Sequence, residues 1–394
     1  MRLFVKLTSK INKPNSRIYL WSPILEPTYL HLEEIQRYKQ LGEGTGPENW
    51  EKTPIIEIEH NELKYRHIIL NHIKNDIVVI GIKDHLTTGN FNPWIEDAPA
   101  VVRSLKGLFE TFDDKKFILF TSMENLESYI KFDNLSIIPW GGDITNQLSE
   151  YRSLSPIVDK DFDSPYNFVS LNRNYRNPRA VLISLLFGLG LHKHGMISCM
   201  FKDDISSLIK TVKWPFSDEQ KKILSNGFRK FKKSKLLIND DREIYQSNNN
   251  NNVGNFQNKL TNYYQKTFIE IVNETSYTEK SFNLTEKTLN SIYACNFPII
   301  LSSKGTVNFL RTMGLDMFDD IINHNYDSIE DPIDRMFSAI IDNRELLTDN
   351  SRVKHLWKEN KDRLLKNVSF VKDNIYDFYR NRAETEFLKV IEDL

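Results

Sequence analysis

Apolar and polar positions alternate in short blocks along the first part of the chain. Residues 3–7, 18–21, 55–58, 77–82, 117–120 and 135–138 are rich in Val, Ile, Leu and Phe, and polar or Pro-bearing segments bound them. That is the pattern of buried strands. Among them, residues 97–112 (DAPAVVRSLKGLFETF) predict a helix with Asp97 as N-cap and Pro99 in its first turn. Strands alternating with helices predict a doubly wound parallel sheet. Residues 150–166 are polar and Pro-interrupted, which places a boundary there. A second α/β pattern runs from 167 to about 345. Residues 351–394 are strongly charged, with recurring apolar positions such as Leu356, Leu364, Val368, Phe378 and Phe387, and they predict helices. The expected organisation is one domain over 1–160, a second over 161–350, and a helical extension over 351–394.

Residues 268–301 carry the strongest local signal. An apolar strand ends at Asn273-Glu274, a polar loop follows, and Phe282-Asn-Leu-Thr-Glu-Lys287 opens a helix before the apolar run 297–301. Strand, helix and strand in that order make a βαβ unit. Ligands of parallel sheets collect outside the carboxyl ends of the strands. Thr285, Glu286 and Lys287 fall at a helix N-terminus there, where free N–H groups and the dipole favour an anion. The Lys adds a point charge for phosphate, and the Glu can accept from sugar hydroxyls. A second Thr-Glu-Lys stands at 278–280, but the apolar helical pattern Leu289, Ile292, Tyr293 follows 285–287 and selects that register. Upstream, Asn172 ends another predicted strand. Arg173, Arg176 and Arg179 follow it, residues able to hold a diphosphate by bidentate hydrogen bonds.

These residues resemble the donor-site signature of α-1,3-fucosyltransferases and of related glycosyltransferase-like proteins common in large phages. The matching positions are Asn273 and Glu274, Phe282, Thr285, Glu286 and Lys287, and Pro298 in the second strand. Phe168-Val-Ser-Leu-Asn-Arg-Asn-Tyr-Arg-Asn-Pro-Arg179 resembles the opening of the same domain. Phe309-Leu-Arg-Thr-Met-Gly-Leu-Asp-Met-Phe318 and Asn325-Tyr-Asp327 resemble the tail of the phage version. The resemblance spans about residues 165–340, with a longer loop between Glu274 and Thr285 than in fucosyltransferases, and residues 1–160 carry no matching motif. It implies a GT-B arrangement of two Rossmann-like domains whose terminal helices return to the first. It also implies a nucleotide-sugar donor, on GDP or UDP, and a single displacement that inverts the anomeric centre. Such transfer needs a base for the acceptor hydroxyl. Glu274 is one candidate. Asp84, His85 and Asp143, at apparent strand ends of the first domain, are others.

Composition narrows the setting. The chain has 394 residues and a net charge of −1, which gives no global attraction to nucleic acid or membrane. No apolar run is long enough to span a bilayer, and the N-terminus lacks a signal-peptide pattern. The two cysteines imply no disulfide framework, so a cytoplasmic setting is expected. Walker, Gly-x-Ser-x-Gly and Gly-x-Gly-x-x-Gly motifs are absent, and the Gly-Leu-Gly at 188–190 reads as lying inside an apolar helix and lacks the third glycine. Asp161-Phe-Asp163 matches an Asp-x-Asp metal motif but lies in the polar segment rather than after a strand, and no metal is expected. A basic stretch from Lys210 to Lys235 is interleaved with Trp214, Phe216, Phe228 and Phe231. It reads either as a solvated helix face burying its aromatics or as a track for acceptor phosphates. The resemblance to the phage proteins implies an acceptor that is either DNA, with hydroxymethylated bases as the target, or a glycan. A non-catalytic carbohydrate- or nucleotide-binding protein of the same fold is the alternative. Residues 247–252, Ser followed by a run of Asn, predict a surface loop.

Overall fold

The computed structural model describes residues 18–22, 77–82, 113–114, 116–121, 124, 126–128, 131–141, 152, 154–172, 177–199, 215–238, 260–274, 277 and 284–392. The protein is mixed α/β with two parallel sheets. It divides into two compact units, one of residues 1–145, 279–283 and 376–394, the other of 146–278 and 284–375. Among the described residues the helices are α1 (Asn177–Gly188), α2 (Asp218–Lys233), α3 (Thr261–Gln265), α4 (Glu286–Tyr293), α5 (Thr306–Met313), α6 (Pro332–Ile341), α7 (Arg344–Thr348), α8 (Asn350–Glu359), α9 (Lys361–Asp373) and α10 (Ile375–Glu392).

In the first unit β1 (Ile18–Ser22), β2 (Ile77–Ile82), β3 (Lys116–Thr121) and β4 (Leu135–Pro139) pair in parallel, in chain order across the sheet. Phe117 to Thr121 of β3 are all buried, as expected of a strand covered on both faces. Part of that cover is α10. Tyr379, Ala383 and Phe387 recur at the four-residue spacing of one helix face and are buried. The Phe387 ring centroid lies 5.7 Å from that of Phe120. Beside them, Arg382 donates to the buried Glu124 carboxylate at 2.5 Å. Gly141 has φ +59, and a Cβ there would overlap the Tyr379 ring, so glycine is the residue that fits.

In the second unit β5 (Phe168–Ser170), β6 (Gly195–Ile197), β7 (Ile269–Asn273) and β8 (Phe297–Leu301) pair in parallel in the order β6-β5-β7-β8. From β5 the chain winds through α1 to β6 on one side. From β7 it winds through α4 to β8 on the other. The direction of winding therefore reverses between β5 and β7, and right-handed crossovers place α1 and α4 on opposite faces. Ala180 to Phe187 of α1 are all buried. One reason is α2, whose Gly227 approaches so closely that a Cβ would overlap the Ser184 carbonyl oxygen.

Three features differ from the sequence expectation. The polar segment before β5 is an integral strap rather than a loose boundary. Its Leu154 and Ile157 are buried. The buried Lys160 ammonium lies 2.8, 2.9 and 2.8 Å from the carbonyl oxygens of Tyr264, Thr267 and Ala294 and 2.5 Å from Asn296 Oδ1. Those oxygens line the amino edge of β7 and β8. Burial pulls the Lys160 pKa down to about 7. Asp161-Phe-Asp163 forms a turn in this strap: Asp161 Oδ1 accepts from the Asp163 N–H at 3.0 Å. The Phe162 ring lies 5.5 Å from Phe268 and 5.7 Å from Trp357. Secondly, the Gly-Leu-Gly at 188–190 ends α1 rather than lying inside it, with Gly190 at φ +77. Thirdly, the charged C-terminal stretch divides between the units at 375/376. Trp357 of α8 donates its indole N–H to the Cys295 carbonyl at 2.6 Å in the second unit.

Candidate functional site

The carboxyl edge of the second sheet is built around the β5–β7 crevice. In the register, Phe168 pairs with Ile269 and Val169 with Glu270; Asn172 follows β5 by two residues and Asn273 ends β7. Both are buried, at 0 % and 2 % exposure. Asn172 donates through Nδ2 to the Ser170 carbonyl at 3.2 Å and the Ser170 hydroxyl at 3.1 Å, which fixes its amide orientation. Among the described residues its Oδ1 then has no partner, and neither Oδ1 nor Nδ2 of Asn273 has one. Leaving a buried amide unmatched costs about 1–3 kcal/mol. The unmatched atoms lie where the winding of an open α/β sheet reverses, which is where such sheets bind ligands.

Next to them, α4 begins as the sequence predicts, with Thr285 as N-cap and Glu286 and Lys287 in its first turn. Its N-terminus has an internal partner. The buried Glu274 carboxylate lies there and accepts from the Thr285 N–H at 3.3 Å, the Thr285 hydroxyl at 2.5 Å and the Thr288 hydroxyl at 2.6 Å. An internal carboxylate thus shares the helix end, through the Thr285 N–H and the Thr285 and Thr288 hydroxyls. Both Glu274 oxygens accept hydrogen bonds from the start of α4 and hold it against β7. Lys287 Nζ lies 2.9 Å from the Thr285 hydroxyl and 3.0 Å from Glu286 Oε1. The Lys287 and Glu286 side chains are each 24 % exposed, a partly open charged pair that an incoming anion could reorganise.

Arg179, in the first turn of α1 after β5, is buried. Arg173 and Arg176 lie outside the described residues, as do Asp84, His85 and Asp143. The same holds for Phe282, the second Thr-Glu-Lys, the expected strands 3–7 and 55–58, the helix 97–112 and the loop 247–252.

Two supporting residues carried no sequence signal. Arg335 of α6 is buried. It donates through Nη2 to the Tyr277 carbonyl at 2.5 Å, through Nε to the Ser302 carbonyl at 3.1 Å, and through Nη1 to the Ile329 carbonyl at 2.7 Å. It thereby ties the segments leaving β7 and β8 together. Glu124, three residues beyond β3 in the first unit, is also buried. Burial pushes its pKa up to about 7 against the opposing pull of Arg382, and its Oε1 has no partner among the described residues. An isolated Glu or Arg in a polar stretch looks like a surface charge until its burial is known.

Asn325-Tyr-Asp327 resolves into structural contacts. The Asp327 carboxylate accepts from the Val307 and Asn308 N–H groups at 3.0 and 2.9 Å, capping α5, and the Tyr326 hydroxyl accepts from the Ile300 N–H at 3.0 Å. A cleft of about 780 Å³ opens beside them, lined in part by Lys304, Asn308, Arg311 and Asp320. Its cations are matched internally, Lys304 by Glu330 at 2.6 Å and Arg311 by Asp319 at 2.5 Å.

Among the described residues, no group of three or more His, Cys, Asp or Glu is placed to hold a metal ion. No helix among them is long and apolar enough to cross a membrane. Cys199 and Cys295 are buried. No protein-family model matches the chain, and no curated protein matches its sequence.

Proposed function

We propose that the chain is a glycosyltransferase that takes a sugar from a nucleoside diphosphate and moves it to an acceptor hydroxyl. The pair Asn172 and Asn273 carries this reading. Together they offer one unmatched NH₂ and two unmatched carbonyl oxygens at the winding reversal. A phosphate only accepts hydrogen bonds and would leave both oxygens unmatched. Neighbouring hydroxyls donate and accept, so a sugar or ribose satisfies all three groups. Lys287 suits the diphosphate as a point charge. In an inverting single displacement, Lys287 and Arg179 stabilise the charge that grows on the leaving group, without a divalent ion. Glu274 holds α4 in place. Asp84, His85, Asp143 and Glu274 are the candidate bases for the acceptor proton. Two parallel sheets in separate units accord with a GT-B arrangement, as does the fucosyltransferase-like order of motifs from 168 to 327.

Calorimetry with GDP, UDP and ADP tests the donor site. At least one should bind, and Lys287→Ala should weaken it by about 1.5–3 kcal/mol, the range for hydrogen bonds to charged groups. That is roughly 10- to 150-fold. Equal affinity for the two proteins would move the diphosphate away from α4.

A further inference from the structure

The outer side of α2 presents a row of cations that the donor site does not use. The helix is amphipathic. Leu224, Gly227 and Phe231 face inward, and Ser217 and Gln220 close its N-terminus with reciprocal side-chain to backbone hydrogen bonds. At 3.6 residues per turn, Lys222, Arg229 and Lys233 fall within about 20° of one line, opposite the buried face, and the row is ~16 Å long. Lys230 and Lys232 flank it. All five are exposed, and no acid occurs between Gln220 and Lys235. Lys221 pairs with Asp218 at 3.3 Å, and the Lys232 ammonium lies 4.9 Å from the Phe228 ring centroid. Lys222, Arg229, Lys230 and Lys233 have no acidic partner among the described residues. Compensation of the helix dipole accounts for cations in the last turn only. It leaves Lys222 and Arg229 unexplained.

Trp214 lies outside the described residues, and the described aromatic residues of this stretch do not form base platforms. Phe216 and Phe231 are buried, and Phe228 is half-buried beside Lys232. What remains for a ligand is a straight line of charge. We propose that α2 docks nucleic acid through its backbone phosphates alone, without preference for base sequence or strandedness. A membrane surface fits less well, because an interfacial helix inserts an apolar face and that of α2 is buried against α1. The proposal stands independently of the donor-site reading. If both hold, it names the polymer that carries the acceptor hydroxyl.

Fluorescence anisotropy of the full chain with labelled duplexes and single strands of unrelated sequence tests this. Both should bind, plain and hydroxymethylated duplex alike. With four phosphates neutralised, log K should fall against log salt with a slope of roughly −3 to −4. Replacing Lys222, Arg229, Lys230 and Lys233 with Ser should flatten the slope to near zero. All four are exposed, so circular dichroism and nucleotide calorimetry should be unchanged. Absence of binding at the lowest salt would overturn the proposal, as would a slope unaltered in the variant. Binding to phosphatidylserine vesicles but not to nucleic acid would overturn it too, as would a tenfold or greater preference for one sequence. Failure of nucleotide binding in the wild type would leave the salt slope, and this proposal, standing.

Discussion

Glu274 and Glu124 are both buried carboxylates just past the carboxyl end of a parallel strand, yet their surroundings separate them. Glu274 accepts three hydrogen bonds from the start of α4. Glu124 accepts from Arg382 through one oxygen, and burial outweighs that pairing, raising its pKa from 4.5 to about 7. A carboxyl with a raised folded pKa keeps its proton longer in the folded state than in the unfolded chain. Folding stability therefore falls as pH rises from about 4.5 to about 7, with no contribution below that window and a constant cost above it. Thermal melts of the wild type and Glu124→Gln should diverge across this window, the wild type losing ground by at most about 3 kcal/mol. Above it they should run parallel. Parallel behaviour from pH 4.5 upward would show that burial does not hold the proton on Glu124. Sequence pattern made Glu274 a candidate and passed over Glu124, because nothing local distinguishes a buried acid from a surface one.

At the scale of elements, the crossing of α1 and α2 depends on Gly227. A Cβ there would overlap backbone atoms at Ser184 and Gly188, which cannot yield as a side chain can. Gly227→Ala should cost about 1–3 kcal/mol in chemical denaturation, the usual price of overpacking. Gly190 is the control: its φ is +77 but its Cβ direction is open, so Gly190→Ala should cost only the left-handed backbone strain, ~1–2 kcal/mol. Both variants should lose stability, but only Gly227→Ala should shift α2 off α1, seen as faster exchange of the buried α1 amides. Unchanged exchange in Gly227→Ala would count against the close crossing. Much of the element order was legible. The apolar runs 77–82 and 297–301 are β2 and β8 at their predicted bounds, and Thr285 is the N-cap that Leu289 and Ile292 pointed to. The strap at 154–167 was not legible. A lysine whose ammonium is taken up by carbonyl oxygens leaves no apolar periodicity to read.

For the whole molecule, alternating apolar blocks indicated parallel α/β structure, and two parallel sheets are what the chain forms. The split of the C-terminal helices was hidden, because periodicity shows that a helix packs and not on which core. Strand order was hidden for the same reason: a βαβ pattern gives handedness and adjacency, not the reversal between β5 and β7. Asn172 follows β5 and Asn273 ends β7 at that reversal, and the donor-site proposal rests on their unmatched amide atoms. Asn273→Leu tests it most directly, since the leucine side chain branches as the amide does but asks for no hydrogen bond. The variant should melt at or above the wild type, because an unmatched buried amide costs about 1–3 kcal/mol. It should also bind at least about tenfold more weakly, the loss of one good hydrogen bond, to whichever nucleotide sugar the wild type binds in calorimetry. A variant that binds that sugar nucleotide as tightly as the wild type would contradict a site at the β5–β7 crevice.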